Sequence, residues 1–380
     1  MAKAIIIGAG IGGLSTAIAM GKVGIDVAVF EKTADLKDIG AGIILYPNAV
    51  KALRTLDVFE SVAAAGSYAR SGIYKNSAGK TLVELDLTSL GIDLESIAIH
   101  RAELQRALAA KAGRENIHLG KVLTNFEQES GQIICTFADG PTAAAEFLIG
   151  ADGLHSAVRK QLLDDGEPPY AGCYAWRGVS SPQQGGIADE SGLLVFGKGI
   201  QFGAFPIGKG KTYWFGAVAD TQGVQGRRSK KDVRQAFVGW PGPVNALIEA
   251  TAEADILAHD LYDRDPSPIW GTGLVTLLGD AAHPMVPFMG QGGCQAMEDS
   301  VALAYAIKSE NNYVKALRNY ELARMRRTAN YVMQSRKAQA DSLSQSALVC
   351  WLRDLILPLI PKKQMIERLH TLTNYEMPSL

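Results

Sequence analysis

The sequence predicts an α/β fold in which a parallel βαβ domain is interleaved with a mostly antiparallel β-sheet domain and followed by a helical C-terminus. Three observations predict it. Residues 4–30 read as strand, glycine turn, helix and strand; residues 170–218 form aromatic-rich, strand-like runs broken by glycine pairs; and from Gln295 onward the apolar spacing is nearly all helical. At 380 residues the chain is long for one compact core, so two interleaved domains are expected.

Ala4, Ile5, Ile6 and Ile7 make a mostly β-branched run ending at Gly8; residues 14–23 are Ala-rich with helical spacing, and Gly24 closes that helix. Residues 26–30 resume as a strand that ends at Glu31, which completes one Rossmann-like βαβ unit. Residues 39–44 are glycine-rich and lead through Pro47 into a helix over 49–56, and another helix begins near Arg101. Between these two, residues 73–87 alternate like a hairpin that turns at 76–79. Residues 133–137 and 146–149 read as strands around a turn at Asp139 and Gly140. Helices return over 232–252, and 274–278 is a continuous apolar run of the kind buried in a parallel sheet.

Lys and Arg number 38 against 39 Asp and Glu, a net charge of −1 with no basic block, so nucleic acid is not an expected partner. Cys135, Cys173, Cys294 and Cys350 are scattered without CxxC spacing or His clustering, which excludes a zinc or disulfide framework and fits a reducing cytoplasm. The apolar N-terminus is short and runs into a glycine turn, the pattern of a strand and not of a signal peptide. No run reaches the ~18 apolar residues of a membrane span. Residues 348–369 mix apolar side chains with Arg353, Lys362, Lys363 and Arg368. Helix packing is the ordinary reading of such a stripe, and peripheral contact of this C-terminal helix with a membrane is the alternative.

Gly8, Gly10 and Gly13, with Ile11 and Gly12 between them, form a GxGxxG that follows a strand and opens a helix, and Glu31 ends the next strand. Gly8 permits the tight turn, Gly10 lets a pyrophosphate approach the backbone, Gly13 permits close packing, and Glu31 is placed to accept hydrogen bonds from an adenosine ribose. FAD and NAD both fit such a unit. Two further segments carry the same kind of turn. Residues 149–159 read IGADGLHSAVR, a strand running through Asp152 and Gly153 into a helix. Residues 277–300 read LLGDAAHPMVPFMGQGGCQAMEDS, where a strand delivers Gly279 and Asp280 and a second loop, Gly290, Gln291, Gly292 and Gly293, opens another helix.

With GxGxxG, a central DG, and a GD followed by P-x-x-G-Q-G in this order, the sequence resembles the group A FAD-dependent monooxygenases over about residues 1–345. That aromatic hydroxylase family includes p-hydroxybenzoate hydroxylase, urate hydroxylase and zeaxanthin epoxidase. The resemblance implies a discontinuous FAD-binding domain of residues 1–72, 98–168 and 266–345, a substrate-binding domain of 73–97 and 169–265, and a C-terminal helical tail of 346–380. It implies that Glu31 binds the ribose of FAD and that Arg101 contacts its ribose or phosphates. It assigns Asp152 and Gly153 to both FAD and incoming NADPH or NADH, and Asp280 to the ribityl chain or pyrophosphate. Arg159 would support its loop by pairing with a carboxylate, and Pro287 with residues 290–293 would lie along the isoalloxazine. His283, beside the GD turn, reads as a residue that orders the loop, with catalytic base as the alternative.

The activity so implied is a monooxygenation that consumes NAD(P)H and O2. Through a flavin C4a-hydroperoxide, it would hydroxylate or epoxidise a small aromatic or isoprenoid-like substrate. Its alternatives are an FAD-dependent reductase or cyclase of an isoprenoid and a non-catalytic flavin-binding protein. Two departures stand out. Residues 39–47 read IGAGIILYP, without the arginine that some of these hydroxylases carry there to govern flavin swinging, and the tail is expected to be only helical, without the thioredoxin-like domain of the phenol-hydroxylase branch. A compact enzyme, monomer or homodimer, is expected. Substrate is expected between flavin and antiparallel sheet, walled by some of Tyr174, Trp176, Arg177, Phe202, Phe205, Tyr213, Trp214 and Phe215; strand alternation lets only half of them face it. Arg177 suits a phenolate or carboxylate, and Arg177, Tyr213 and Pro287 are the candidate catalytic residues.

Overall fold

The computed structural model describes residues 3–36, 41–180 and 187–380. Its parallel sheet has six strands in the order Gly271–Thr272, Val275–Leu277, Phe147–Gly150, Ala4–Ile7, Val27–Phe30 and Ile117–His118. All pair in parallel except the Gly271–Thr272 edge. Ala4–Ile7 lies inside this sheet with all four residues buried, which is why its sequence is continuously apolar instead of alternating. Helix Ile11–Lys22 follows it and packs beside helices Arg101–Ala112 and Gly292–Ser309. An antiparallel sheet of Leu123–Glu129, Gln132–Phe137 and Thr142–Ala145 also packs here, with Phe137 stacked on Phe30.

The second large sheet has seven strands in the order Leu257–Tyr262, Tyr170–Ser180, Thr212–Ala219, Ile200–Pro206, Ser191–Phe196, Ser71–Asn76 and Thr81–Asp86. It is antiparallel throughout except between Ser191–Phe196 and Ser71–Asn76. The expected hairpin of 73–87 thus extends this sheet from a distant part of the chain. One face packs Tyr174, Trp176, Phe202 and Trp214 against Phe237, Val244 and Leu247 from the helical segment behind it. The other face turns Val179, Phe205, Tyr213 and Phe215 toward Ala41, Ile44 and Ala98. Helix Tyr313–Ser342, 30 residues and about 45 Å long, bridges the two sheets. Near its start Tyr320 Oη donates to Leu277 O, and near its end Gln339 Nε2 donates to Ala171 O.

Two features depart from the sequence expectations. The glycine-rich stretch of 39–47 contains a strand, Gly42–Leu45, which pairs with Ile97–His100 in a small third sheet with Ser67–Tyr68. Its partner supplies the ladder that local propensity does not; residues 39 and 40 lie outside the described residues. Helix Phe59–Ala65 likewise goes unpredicted by its short Ala-rich sequence. No helix among the described residues is long and apolar enough to cross a membrane.

Candidate functional site

The three glycine-bearing turns meet in one cradle. Gly8 has φ +104°, and a Cβ there would sit 2.5 Å from Ala151 O and 2.9 Å from Asp152 Cα, so the first loop lies directly on the DG turn and only glycine fits. A Cβ on Gly12 would lie 2.9 Å from Leu278 Cδ2, and one on Gly292 would lie 3.4 Å from Asp280 Oδ1. A Cβ on Gly293 would lie 2.8 Å from Ile43 Cδ1. Around Gly10, by contrast, a Cβ would have nothing within 4 Å. This open space adjoins the start of Ile11–Lys22, whose first turn carries no side-chain cap and so keeps amides available to an anion.

The polar residues predicted for this cradle mostly brace it. Glu31 Oε2 accepts from Ala9 N at 2.8 Å and its Oε1 accepts from Thr33 N at 3.0 Å, so the carboxylate spans the glycine loop. Asp152 accepts from Ser156 Oγ at 2.5 Å and from Ala157 N at 2.7 Å, capping helix Ala157–Leu163, while burial raises its carboxyl above the usual range. Gly153, at φ +81°, carries the turn. Arg101 is exposed at the start of its helix, and its charge acts on Asp280. Surrounding protein raises the Asp280 carboxyl, against the pull of His283 and Arg101, although its side chain opens onto the cleft. Arg159 does pair with a carboxylate, Asp165, and its Nη1 donates to Ala281 O and Ala282 O at 3.0 Å, tying the DG helix to the GD turn. His283 is buried with Nε2 2.6 Å from Asp299 Oδ2, the position of a residue that orders the loop.

Beneath residues 290–293 lies a buried network that sequence reasoning missed. Gln291 Oε1 accepts from Asn48 Nδ2 at 3.0 Å and from Gln295 Nε2 at 3.1 Å. Glu298 accepts from Asn48 and from Arg324 at 2.6 Å and from Arg327 at 2.7 Å, and Arg324 also reaches Asp299 at 2.7 Å. Burial pushes the Glu298 carboxyl up, but Arg324 and Arg327 outweigh it and hold it below the usual range. The available signal was an acidic pair inside an otherwise apolar helix, followed one helix later by arginines. Gln105 was missed too; its Nε2 donates to Ala9 O at 2.8 Å and secures the GxGxxG loop from the side.

Opposite the loop stands the outward face of the seven-stranded sheet. Alternation divides the predicted wall: Arg177, Phe205, Tyr213 and Phe215 share this face, whereas Tyr174, Trp176, Phe202 and Trp214 belong to the core behind it. Arg177 is half-buried and makes no ion pair among the described residues. Tyr213 packs against Gly42, where a Cβ would meet its ring at 2.6 Å. Pro287 is exposed at the head of the turn Pro287–Met289, and Gly290 after it abuts the ring of Tyr46. Burial raises the phenols of Tyr46 and Tyr74, Tyr74 adds to the rise at Tyr46, and burial pushes the Cys294 thiol up to about 12. Gln201, paired in register with Ala217 on the same face, is 5% exposed and its Oε1 has no hydrogen-bond donor among the described residues.

Residues 1–170 and 268–335 match the FAD binding domain family. The chain belongs to that family. It is 37% identical over 367 residues to the aurachin C monooxygenase/isomerase of Stigmatella aurantiaca, covering 96% of each. To an FAD-dependent urate hydroxylase of Klebsiella pneumoniae it is 34% identical over 343 residues, 88% of this chain and 89% of the other. Among solved structures, Klebsiella pneumoniae HpxO in complex with FAD and uric acid superposes with a TM-score of 0.91 at 31% identity, covering 98% of this chain and 96% of that one. The chain is an FAD-dependent monooxygenase with NAD(P)H as co-substrate, which sets aside the reductase, cyclase and non-catalytic alternatives.

The cradle fits this flavoenzyme's cofactor on its own chemistry. An uncapped helix end beside the space at Gly10 suits a pyrophosphate, and a carboxylate, Asp280, opens toward the same cleft next to Gly292. Near the sheet face, sequence reasoning also missed Tyr46, Tyr74 and Gln201, which come from separate parts of the chain. Of these only Gln201 left a trace in the sequence, as a lone amide in an apolar strand.

Proposed function

We propose that this flavoenzyme monooxygenates a planar, largely apolar aromatic or heteroaromatic ring that carries an N–H or O–H donor. The carrying observation is Gln201, whose buried amide oxygen lacks a donor among the described residues and which shares its sheet face with Phe205, Tyr213 and Phe215. A buried acceptor without a partner is unfavourable by about 1–3 kcal/mol, and a ring donor relieves it. The relatives support this chemistry, since they include enzymes named for urate, 3-amino-4-hydroxybenzoate and 6-hydroxynicotinate.

In this reading Gly8, Gly10, Ile11, Gly12, Gly13, Glu31, Arg101, Asp152, Gly153, Asp280 and residues 290–293 would hold FAD. Bound there, FAD supplies hydride acceptance and oxygen activation. The chain's own part is to bind, orient and exclude water. Phe215, Tyr46 and Tyr74 supply apolar surface for a ring. Arg177 offers a guanidinium, unpaired by any carboxylate among the described residues, to a carbonyl or phenolate oxygen of the substrate. Tyr213 holds the strand Gly42–Leu45 in place through its contact with Gly42, and Pro287 stiffens the turn that precedes the glycine loop. Four free cysteines support a reducing, cytoplasmic setting.

Paired ring compounds that differ only in methylation of the N–H test the proposal. The unmethylated compounds are expected to stimulate NAD(P)H and O2 consumption and yield an oxygenated product, and the methylated ones are not. Equal stimulation by both members of each pair would remove the donor requirement.

A further inference from the structure

The tail carries an amphipathic helix turned inside out. In Ala347–Ile356 no residue is buried, and Leu348, Val349, Trp351, Leu352, Leu355 and Ile356, with Leu359 in the turn that follows, are exposed by 37–73%. The half-buried side of the same helix is its polar one. Asp354 Oδ2 accepts from Asn76 Nδ2 at 3.1 Å, Arg353 Nη1 donates to Gly197 O at 3.4 Å, and the Arg353 guanidinium lies over the Phe196 ring. Seven large apolar side chains within twelve residues make the kind of contiguous exposed patch that marks an interaction surface.

Two neighbouring features say what covers it. Helix Lys362–Thr373 continues the patch with exposed Lys362, Lys363 and Arg368 against a single exposed acid, Glu367. On the inner side, Leu357 and Met365 pack on Phe196, Leu82, Val83 and Leu85, together with Tyr74 and Leu194, so the segment roofs one end of the proposed substrate face. A second copy of the chain would bury the apolar residues but bring like cations together across a two-fold contact. An anionic bilayer accepts both the apolar face and the cations.

We infer that residues 348–359 lie in the surface of an anionic lipid bilayer and dock the enzyme with the roof of its substrate face against the membrane. An apolar substrate dissolved in lipid then reaches the ring-binding face without crossing bulk water. The surface does not depend on which ring is oxidised, so it stands or falls apart from the function proposed above.

The test uses the FAD-loaded enzyme and vesicles of phosphatidylcholine with phosphatidylglycerol. Trp351 is the most exposed of the five tryptophans, so its emission is expected to shift blue on binding and to be quenched by brominated acyl chains. Binding is expected to weaken about tenfold in high salt or with phosphatidylcholine alone. The triple variant Leu348→Glu, Leu355→Glu, Leu359→Glu alters only exposed positions and is expected to abolish sedimentation with vesicles while turning over a water-soluble substrate at the wild-type rate. Wild-type protein that stays in the supernatant without bromolipid quenching would overturn the inference. So would a wild-type dimer that the triple variant dissociates and that ignores vesicles, which would make the face a self-contact. Bromolipid quenching of the wild type decides the question even if the triple variant fails to fold.

Discussion

Gln201 concentrates at one atom the tension between stability and binding. Its amide oxygen is shielded from water and has no donor among the described residues, so replacing it with an apolar group of similar size removes an unfavourable term. Gln201→Leu is expected to raise unfolding stability by about 1 kcal/mol while raising KM for the substrate about tenfold, with kcat changed less. Denaturant melts and steady-state kinetics read the two effects separately. Raised stability with an unchanged KM would leave the residue a core defect and not a substrate contact. Gly8 shows the opposite kind of residue, one selected for what it lacks, since any side chain there strikes the DG turn.

At the scale of elements, helix Gly292–Ser309 joins the glycine loop to the buried charges. Its first turn borders the cradle, and in its interior Glu298 and Asp299 are bound by Arg324 of the neighbouring helix. Removing that arginine takes a buried counter-charge from both carboxylates, the main one for Glu298, so Arg324→Met is expected to cost about 3–5 kcal/mol. The pH dependence follows from the Glu298 carboxyl. Burial raises it, Arg324 and Arg327 lower it further, and its folded pKa therefore sits below the unfolded value near 4.3. Its contribution is complete above that value and is lost as pH falls through the depressed folded pKa. Melting temperatures at descending pH should fall more steeply in the wild type than in Arg324→Met. Parallel curves would place the acid sensitivity elsewhere.

For the whole molecule, the cradle draws on the N-terminal unit, the DG turn and the GD segment, which lie far apart in the chain and are held together only by folding. A ligand seated across all three stabilises the assembly by mass action, about 2.7 kcal/mol when free FAD is at 100 times its Kd. Stripping FAD is expected to lower the melting temperature, and graded addition should restore it along that logarithmic dependence. A melting temperature indifferent to FAD would mean that the three turns do not share one ligand. The bridging helix Tyr313–Ser342 couples the six-stranded sheet to the seven-stranded sheet, so this restoration should appear as one transition.

Much of this architecture is legible in the chain because its requirements are local. A βαβ unit shows in a change of period, a tight approach shows in glycine, and an antiparallel sheet shows in aromatic runs between turns. Those signals were enough for the parallel core, the three turns, the hairpin of 73–87 and the FAD-dependent chemistry the motifs resemble. Three-dimensional packing decided the rest. Alternation says that half of the aromatic wall points one way, but only the helices behind Trp176 and Trp214 say which half. Helical spacing reveals an apolar stripe in the tail, but not that its polar side would find Asn76 and Gly197 and leave the leucines outward. An orphan such as Gln201 exists only relative to neighbours, and neighbours are a property of the fold.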